Sequence, residues 1–389
     1  MADPASSQMA RNVALESARN KKVLRWVLTV FAVLCAVLLY LLSAGYDISY
    51  VGPKAYAVGF VLSVLPVPIY VAIALFIERY EKEPIRMLAA AFFWGMSAAI
   101  FFATLGNQLT YLIVKEAFSD TPGSIFFVTV VSAPPVEELS KGLALFVLFW
   151  WKKDEFDNVI DGIVYAAMVG LGFAMVESAA KYADAFVEGG WWSAFTAFLV
   201  RGVLHPFSHP LFTSMTGIGL GLARRTQNVY TRIMAPVAGL LLAITLHSLT
   251  NFFGILQFPS VSGGQYLGLF ISYILIQGLT IAGVLVVVAF SLRREGHTLR
   301  LHLVPELQSG LLSQEEYDSL SSVERRLGSY FDALVKGDFR AWRARASFNQ
   351  VASELAFHRD RVGRGITFSE DAEREAAYVQ LLGRLKRLL

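Results

Sequence analysis

Acidic, basic and imidazole side chains recur in the apolar middle of this sequence, where ionisable groups are costly. One such group at the centre of a membrane helix costs roughly 2.5–3.5 kcal/mol. Four consecutive apolar stretches nevertheless contain polar groups: Glu137, Glu138 and Lys141 in the first, Glu177 and Lys181 in the second, Arg201, His205 and His209 in the third, and His247 and Asn251 in the fourth. A shared buried site between these four stretches is the simplest explanation.

The histidines have a spacing that suits metal binding. His205 and His209 are four residues apart, and on a helix that spacing directs both rings at one ion. His247 and Asn251 repeat the spacing with an amide. Three histidines and a carboxylate are a suitable ligand set for Zn²⁺. The alternative at each position is a structural role, in which the histidine only makes hydrogen bonds. Three histidines beside three glutamates make this alternative less favoured than metal binding.

The glutamate pair follows two prolines, Pro134 and Pro135. Proline breaks a helix interior but suits a first turn, so a fresh helix is predicted to start near Pro135. The positive end of its dipole would favour anionic Glu137 and Glu138. These two neighbours cannot face the same point on a helix. Glu137 and Lys141, four apart, share a face and partly neutralise each other, as do Glu177 and Lys181.

Composition places the chain among membrane proteins. Hydrophobic residues make up 55% and charged residues 17% of the 389 positions, and the mean hydropathy is +0.51. Soluble domains contain about 25% charged residues. The net charge of +3 gives no reason to expect a nucleic acid partner. Cys35 is the single cysteine, which excludes an intramolecular disulfide and a cysteine-based metal site.

Eight stretches are long and apolar enough to span a bilayer. They cover residues 23–44, 55–77, 85–114, 125–151, 159–183, 192–223, 233–256 and 266–292. The loops between them alternate between basic and non-basic, so the positive-inside rule predicts an integral cell-membrane protein with both termini in the cytoplasm. The first stretch is long and follows a charged tail, so it is expected to be a retained span and not a signal peptide.

These patterns predict an all-α fold: a polytopic membrane helix bundle with about eight transmembrane helices and a C-terminal helical cytoplasmic domain. The expected divisions are a cytoplasmic tail at 1–22, an eight-span membrane domain at 23–292, and a cytoplasmic helical domain at 293–389. In the last, Leu307, Leu311 and Leu312 recur at helical spacing, and so do Leu381, Leu382, Leu385 and Leu388. His297, His302 and His358 there lack ligand spacing and are expected at the surface.

Four short motifs together resemble those of PrsW-type intramembrane proteases. They are Glu137-Glu138-Leu-Ser-Lys141, Phe173-Ala-Met-Val-Glu177, His205-Pro-Phe-Ser-His209 and His247-Ser-Leu-Thr-Asn251. That family belongs to a wider group with the type II CAAX prenyl endopeptidases and bacterial Abi proteins. The similarity covers roughly residues 77–253. Each motif alone is weak, but four in order, each in its own span, are specific.

The resemblance implies hydrolysis of a peptide bond in a membrane-anchored protein substrate, such as an anti-sigma factor, at the outer face of the bilayer. Glu137 or Glu138 takes the position of the general base. Glu177, His205, His209, His247 and Asn251 take the remaining motif positions. Both a metalloprotease and a metal-free, glutamic-type mechanism are compatible with these residues.

In the hypothesis that follows, Glu137 is the base and Glu138 orients it or exchanges roles with it. Glu177, His205, His209 and His247 hold Zn²⁺, which polarises the scissile carbonyl and acidifies water. Asn251 donates to the oxyanion. In the metal-free version the histidines are the oxyanion donors.

Two other classes of function remain as alternatives. A proton-coupled membrane transporter also needs intramembrane Glu, His and Lys, but it often shows a matching broken-helix repeat in both halves, and none is evident here. A non-catalytic scaffold derived from a protease is expected to lack a motif residue, and every motif position is occupied.

Overall fold

The computed structural model of the chain describes residues 4–153, 155–204, 208–255, 271–328, 339–365, 371–387 and 389. Every regular element within these residues is a helix. The all-α prediction is therefore confirmed. The main helices, in chain order, are α1 Pro4–Val51, α2 Pro53–Val64, α3 Val67–Ile77, α4 Ile85–Trp94, α5 Ile100–Phe118, α6 Pro122–Phe126, α7 Ala133–Trp151, α8 Val159–Phe198, α9 Ser208–Arg225, α10 Val229–Ile255, α11 Leu279–His302, α12 Val304–Gln308, α13 Gln314–Leu320, α14 Phe339–Gly363 and α15 Asp371–Lys386.

Six helical segments among the described residues are long and apolar enough to cross a membrane. They are Trp26–Val51, Pro53–Ile77, Ile85–Phe118, Val159–Arg225, Val229–Ile255 and Leu275–His302. Large apolar side chains such as Trp26, Leu34 and Ile69 stay exposed on the outer helices, where lipid would cover them. The chain is thus an integral membrane protein. The stretch 125–151, which contains Glu137, Glu138 and Lys141, is not among the six segments.

Helix α8 is the centre of the bundle, because all of its first 15 residues are buried. Asn158 caps its N-terminus by accepting hydrogen bonds from the backbone N–H groups of Ile160 and Asp161, and the Asp161 carboxylate in turn accepts from the backbone of Asn158. This reciprocal capping fixes where the helix begins. Gly189 and Gly190, which have non-helical backbone angles, kink its far end.

Helices α8 and α9 run antiparallel in direct backbone contact. Val159 lies beside Gly221, Gly162 beside Gly217, and Gly170 beside Pro210. A Cβ at Gly162 or Gly217 would collide with the backbone of the other glycine. Small residues permit this close approach, which is typical of membrane helix interfaces. Helix α10 packs on the next face of α9, with Gly219 beside Ala235 and Gly239 beside Met215.

Helix α7 follows a π-helical segment, Phe127–Ser132, and has its prolines in its first turn. The start predicted near Pro135 therefore falls two residues after the observed start at Ala133. The interruption is a change of helix type, since the backbone at Ser132 and Ala133 remains helical. The indole Nε1–H of Trp94 donates to the Ser140 carbonyl at 3.0 Å and links α4 to α7.

The C-terminal helices form a second core around α11 and α14. Phe348, Leu355, Leu312 and Leu382 are buried in it, so two of the leucines in the predicted helical repeats do face a core. Tyr80, from the loop between α3 and α4, belongs to the same cluster. His297 is exposed as expected, but the surface prediction for His358 is wrong. That ring is buried and its Nε2 lies 3.0 Å from the Asp371 carbonyl.

Candidate active site

Glu138, on the first turns of α7, is fully buried and completely engaged. Its Oε1 accepts from Lys141 Nζ at 2.8 Å and lies 3.0 Å from His247 Nδ1. Its Oε2 accepts from the Thr213 hydroxyl at 2.9 Å. One carboxylate thus ties α7 to α9 and α10. A buried charge is tolerated only with such partners.

Lys141 is the cation at the centre of this cluster of buried polar side chains, and its own side chain has no solvent exposure. Besides Glu138, its Nζ contacts His209 Nδ1 at 2.9 Å and lies 3.6 Å from Glu137 Oε2. The Phe173 ring centroid is 4.0 Å away on the side of α8. An ammonium facing an aromatic ring gains from the ring quadrupole, so the motif phenylalanine contributes to holding this cation.

His209 bridges Lys141 and the carboxylate of Glu177. Its Nε2 lies 2.7 Å from Glu177 Oε2, and the other Glu177 oxygen accepts from Arg201 at 3.1 Å. An ammonium can only donate, so Nδ1 of His209 must accept from Lys141. The ring proton is then on Nε2, where it donates to Glu177.

His247 sits between Glu138 and Glu137. Its Nδ1 faces Glu138, and its Nε2 is 3.8 Å from Glu137 Oε2. The ring stacks on Phe212 at a centroid distance of 5.3 Å and meets the edge of His209 at 5.2 Å. With Nδ1–H donating to the carboxylate, Nε2 has a free lone pair. This carboxylate–histidine arrangement is the one that orients histidine ligands in metal sites.

Glu137 differs from its neighbour because it is incompletely bonded. Its Oε1 accepts from the Asn107 amide at 3.3 Å, whereas its buried Oε2 accepts no hydrogen bond from any described residue. The side chain is 12% exposed, against 0% for Glu138. An unsatisfied carboxylate oxygen facing two histidines is an acceptor for a water proton or a ligand for a cation.

Glu137, His209 and His247 form the group best suited to a metal among the described residues. One ligand atom from each lies within 4.8 Å of the others, and all three are buried. Nitrogen and carboxylate donors match Zn²⁺. The orphaned Oε2 and the carboxylate behind each histidine fit such an ion. The Lys141 ammonium lies within the same group of atoms.

The structure thus brings together six residues that the sequence singled out: Glu137, Glu138, Lys141, Glu177, His209 and His247. His205, predicted as a metal ligand, lies outside the described residues. Glu177, also predicted as a metal ligand, contacts Arg201 and Nε2 of His209. Asn251 donates to the Thr129 carbonyl at 3.0 Å and so binds the π-helical segment before α7.

Three site residues had no role in the sequence-based prediction or only a minor one. Asn107 and Thr213 contact the glutamates, and Arg201, taken as a charge-balancing residue, pairs with Glu177. The sequence contains a signal for one of them, because Thr213 is four residues after His209 on the same helix face. Asn107 is next to Gln108 in a largely apolar span, and the sequence does not distinguish these two amides.

Fold and site together describe a helical membrane protein with a buried centre equipped for hydrolysis. Comparison with known proteins gives the family. Residues 83–290 match the model of the PrsW family intramembrane metalloproteases. The chain belongs to this family.

Several curated relatives share the match. Protease PrsW of Geobacillus kaustophilus is 31% identical over 193 residues, which is 50% of this chain and 76% of the relative. Protease PrsW of Bacillus subtilis is 31% identical over 174 residues, 45% of this chain and 70% of the relative. Protease PrsW of Oceanobacillus iheyensis is 33% identical over 195 residues, which is 49% of this chain and 82% of the relative. No solved structure gives a significant match.

Proposed function

We propose that the chain cleaves a membrane-anchored protein substrate with Glu137 as the general base and zinc held by His209 and His247. The observation that supports this most is the Glu137 Oε2 atom, which is buried, accepts no hydrogen bond from a described residue and lies 3.8 Å from His247 Nε2. A general base needs such a free acceptor within reach of a water molecule.

In this proposal each residue has a separate task. Glu137 takes a proton from the attacking water and passes it to the leaving amine. Zn²⁺, when bound, would polarise the scissile carbonyl and acidify the water. Glu138 orients His247, and Glu177 orients His209, through the contacts described above. The second amide N–H of Asn251, one turn beyond His247, donates to the oxyanion.

The test is Glu137→Gln in the full-length protein. Removal of a general base lowers turnover by roughly 10²–10⁴-fold. We expect cleavage to fall by at least a hundredfold while stoichiometric zinc remains, because both histidines are intact. Cleavage is followed by gel mobility of the substrate, and zinc by elemental analysis. Cleavage at the wild-type rate would refute the assignment of Glu137 as the general base. Loss of both bound zinc and cleavage would instead indicate that Glu137 is a zinc ligand.

The substrate class we propose is a single-span protein of the anti-sigma-factor type, on the basis of the family resemblance. Membrane fractions of cells with wild-type protein and with Glu137→Gln should differ in few proteins by quantitative proteomics. Full-length single-span proteins should accumulate with the variant. An unchanged membrane proteome, with an accumulated solute instead, would favour the transporter alternative.

We further propose eight spans with both termini in the cytoplasm. The antiparallel contact of α8 and α9 supports two passes within the segment Val159–Arg225. Helix α7, with 19 residues, is long enough to cross together with the six-residue π-helical segment before it. Basic residues Lys152 and Lys153 follow α7, and Arg224 and Arg225 end α9. Fusions of a fluorescent protein and of alkaline phosphatase at the C-terminus test this, with fluorescence and no phosphatase activity expected.

A further inference from the structure

Lys141 occupies the position in the site where a metal ion is expected. Its Nζ is 2.9 Å from His209 Nδ1 and 3.6 Å from Glu137 Oε2, and these residues supply two of the three donors of the metal-capable group. Its side chain is completely buried. A buried lysine is retained where its charge is needed, because desolvating an ammonium is costly.

The contact with Lys141 controls the chemistry of His209. While Nδ1 accepts from the ammonium and Nε2 donates to Glu177, neither ring nitrogen has a free lone pair. A zinc ligand must be a neutral imidazole nitrogen with a free lone pair. His209 therefore becomes a ligand only when Lys141 Nζ leaves Nδ1. His247 Nε2 is under no such restriction among the described contacts.

The charge balance of the group favours one strong cation at a time. Glu137, Glu138 and Glu177 supply three negative charges, and Lys141 and Arg201 supply two positive ones, which leaves a net charge of about −1 with neutral histidines. A divalent ion and an ammonium within contact distance would repel each other strongly in a buried site. The flexible four-carbon stem of lysine allows its head group to move while its other contacts persist.

We propose that Lys141 is the exchangeable cation of this site: its ammonium stands against His209 Nδ1 in the metal-free protein, and zinc binding moves it off that nitrogen. Lys141 is in this sense a positioning residue, since it keeps Glu138 and His209 in place before the metal arrives. The inference rests on the proposed function, because it requires zinc at His209 and His247.

The experiment measures zinc affinity of the detergent-solubilised full-length chain by competition with a chromophoric chelator, without substrate. Lys141→Met removes the competing charge and keeps the stem, so zinc should bind at least tenfold more tightly, which is about 1.4 kcal/mol. Lys141→Arg keeps the charge and adds bulk, so zinc should bind at least tenfold more weakly. The metal-free Lys141→Met protein should also unfold at a lower temperature, and added zinc should raise its Tm by more than that of the wild type.

Lys115→Met is the matched control, since Lys115 pairs with Asp120 at an exposed position away from the site. It should leave zinc affinity unchanged. Weaker binding by Lys141→Met, or affinities within threefold of wild type for both variants, would overturn the inference. If Lys141→Met does not fold, the zinc affinity of Lys141→Arg alone tests the inference. Absence of zinc binding in wild type and variants would also overturn it, whereas failure of the base assignment is detected separately, by cleavage with Glu137→Gln.

Discussion

At the scale of single residues, Glu137 and Glu138 show how adjacent positions on one helix acquire different chemistry. Successive side chains on an α-helix point about 100° apart, given 3.6 residues per turn. Glu138 faces α9 and α10, where Thr213 and His247 contact it, and Lys141 of its own helix donates to it as well. Glu137 faces α5 and keeps one oxygen unbonded. Position on the helix, and not residue type, separates the fully bonded carboxylate from the one that we propose as the general base.

Asn107 provides a test of this distinction. Its amide donates to Glu137 Oε1, so Asn107→Leu should leave that carboxylate free to rotate away from the histidines. We expect kcat to fall by about tenfold or more with little change in KM, since roughly 1–3 kcal/mol is typical for a lost buried hydrogen bond partner. The measurement is steady-state cleavage of a fluorogenic membrane-anchored substrate.

The adjacent residue supplies the control. Gln108 accepts from the Tyr46 hydroxyl at 2.8 Å and thereby links α1 to α5, with no contact to the glutamates among the described bonds. Gln108→Leu should lower the Tm by about as much as Asn107→Leu while kcat is preserved. Equal losses of kcat in both variants would mean that Asn107 acts only through the packing of α5.

Motif residues were predictable because their spacing carries information. Glu137 and Lys141, or His247 and Asn251, share a helix face by periodicity alone. Asn107 has no charged or imidazole side chain at helical spacing from it, and its role depends on how α5 packs against α7. The predicted pairing of Glu177 with Lys181 illustrates the same limit. Lys181 is exposed, and Glu177 is bound by Arg201 and His209 from later parts of the chain.

At the scale of elements, close helix contacts set the geometry of the site. His209 is in the first turn of α9, and Glu177 is near the middle of α8, so their contact depends on the register and separation of these two helices. The mutual contact of Gly162 and Gly217 fixes both. If α8 and α9 were further apart, the Glu177 carboxylate would no longer reach Nε2 of His209.

Gly217→Ala should therefore disturb both stability and activity. The added methyl group meets the Gly162 backbone, and overpacking of this kind typically costs about 1–3 kcal/mol. We expect a Tm decrease of several degrees in detergent and a loss of cleavage. Gly283→Ala is the control, because a Cβ there meets nothing within 4 Å and should be neutral or slightly stabilising. A neutral Gly217→Ala would show that α8 and α9 do not need this contact.

The start of α7 could be read from Pro134 and Pro135, because proline has a strong local preference for a first helical turn. The π-helical segments Gly95–Ala99, Phe127–Ser132 and Leu199–Leu204 could not. Inserting one residue into a helix gives no change in composition or hydrophobic period that a single sequence reveals. Two of these segments lead directly into α7 and towards α9, where the site residues lie.

At the scale of the whole molecule, the C-terminal helices are tied to the membrane bundle by ion pairs. Arg361 of α14 donates to Glu81 at 2.7 Å and to Asp157 at 3.4 Å, and Arg364 donates to Asp157 at 3.1 Å. Asp157 is two percent exposed and directly precedes the cap of α8. Nothing in the sequence of this tail indicates its docking, because each partner lies some 200 residues or more away.

A double-mutant cycle on Arg361 and Glu81 measures this docking. Breaking a buried pair from one side costs about 3–5 kcal/mol, because the other charge remains buried. We expect Glu81→Gln and Arg361→Met each to accelerate protease clipping of the tail, and the double variant to be less destabilised than the sum of the two. Arg325→Met, which breaks the largely exposed Arg325–Asp318 pair, should have little effect. Strict additivity would contradict a direct coupling.

The loop between α3 and α4, which contains Glu81, also makes stability depend on pH. Its residue Glu78 directly follows α3 and is 7% exposed. Burial raises the pKa of its carboxyl from 4.5 to about 7, although the Glu83 backbone N–H, which donates to it at 3.3 Å, acts in the opposite direction. Burial also raises the pKa of the neighbouring Glu83. Between pH 4.5 and 7 the folded chain thus binds more protons than the unfolded chain, so this contribution to stability decreases as pH rises through that window.

We therefore expect the Tm of the solubilised wild type to fall more steeply between pH 5 and about 7.5 than that of Glu78→Gln, whose neutral amide cannot titrate. The two proteins should be closest in stability at the acid end, where Glu78 is protonated in the folded state, and Glu78→Gln should be the more stable one at neutral pH. Glu315→Gln, at an exposed position of the tail, controls for the loss of one formal charge. Parallel Tm curves for wild type and Glu78→Gln would mean that water reaches the Glu78 carboxyl in solution and that the loop under the C-terminal helices is open.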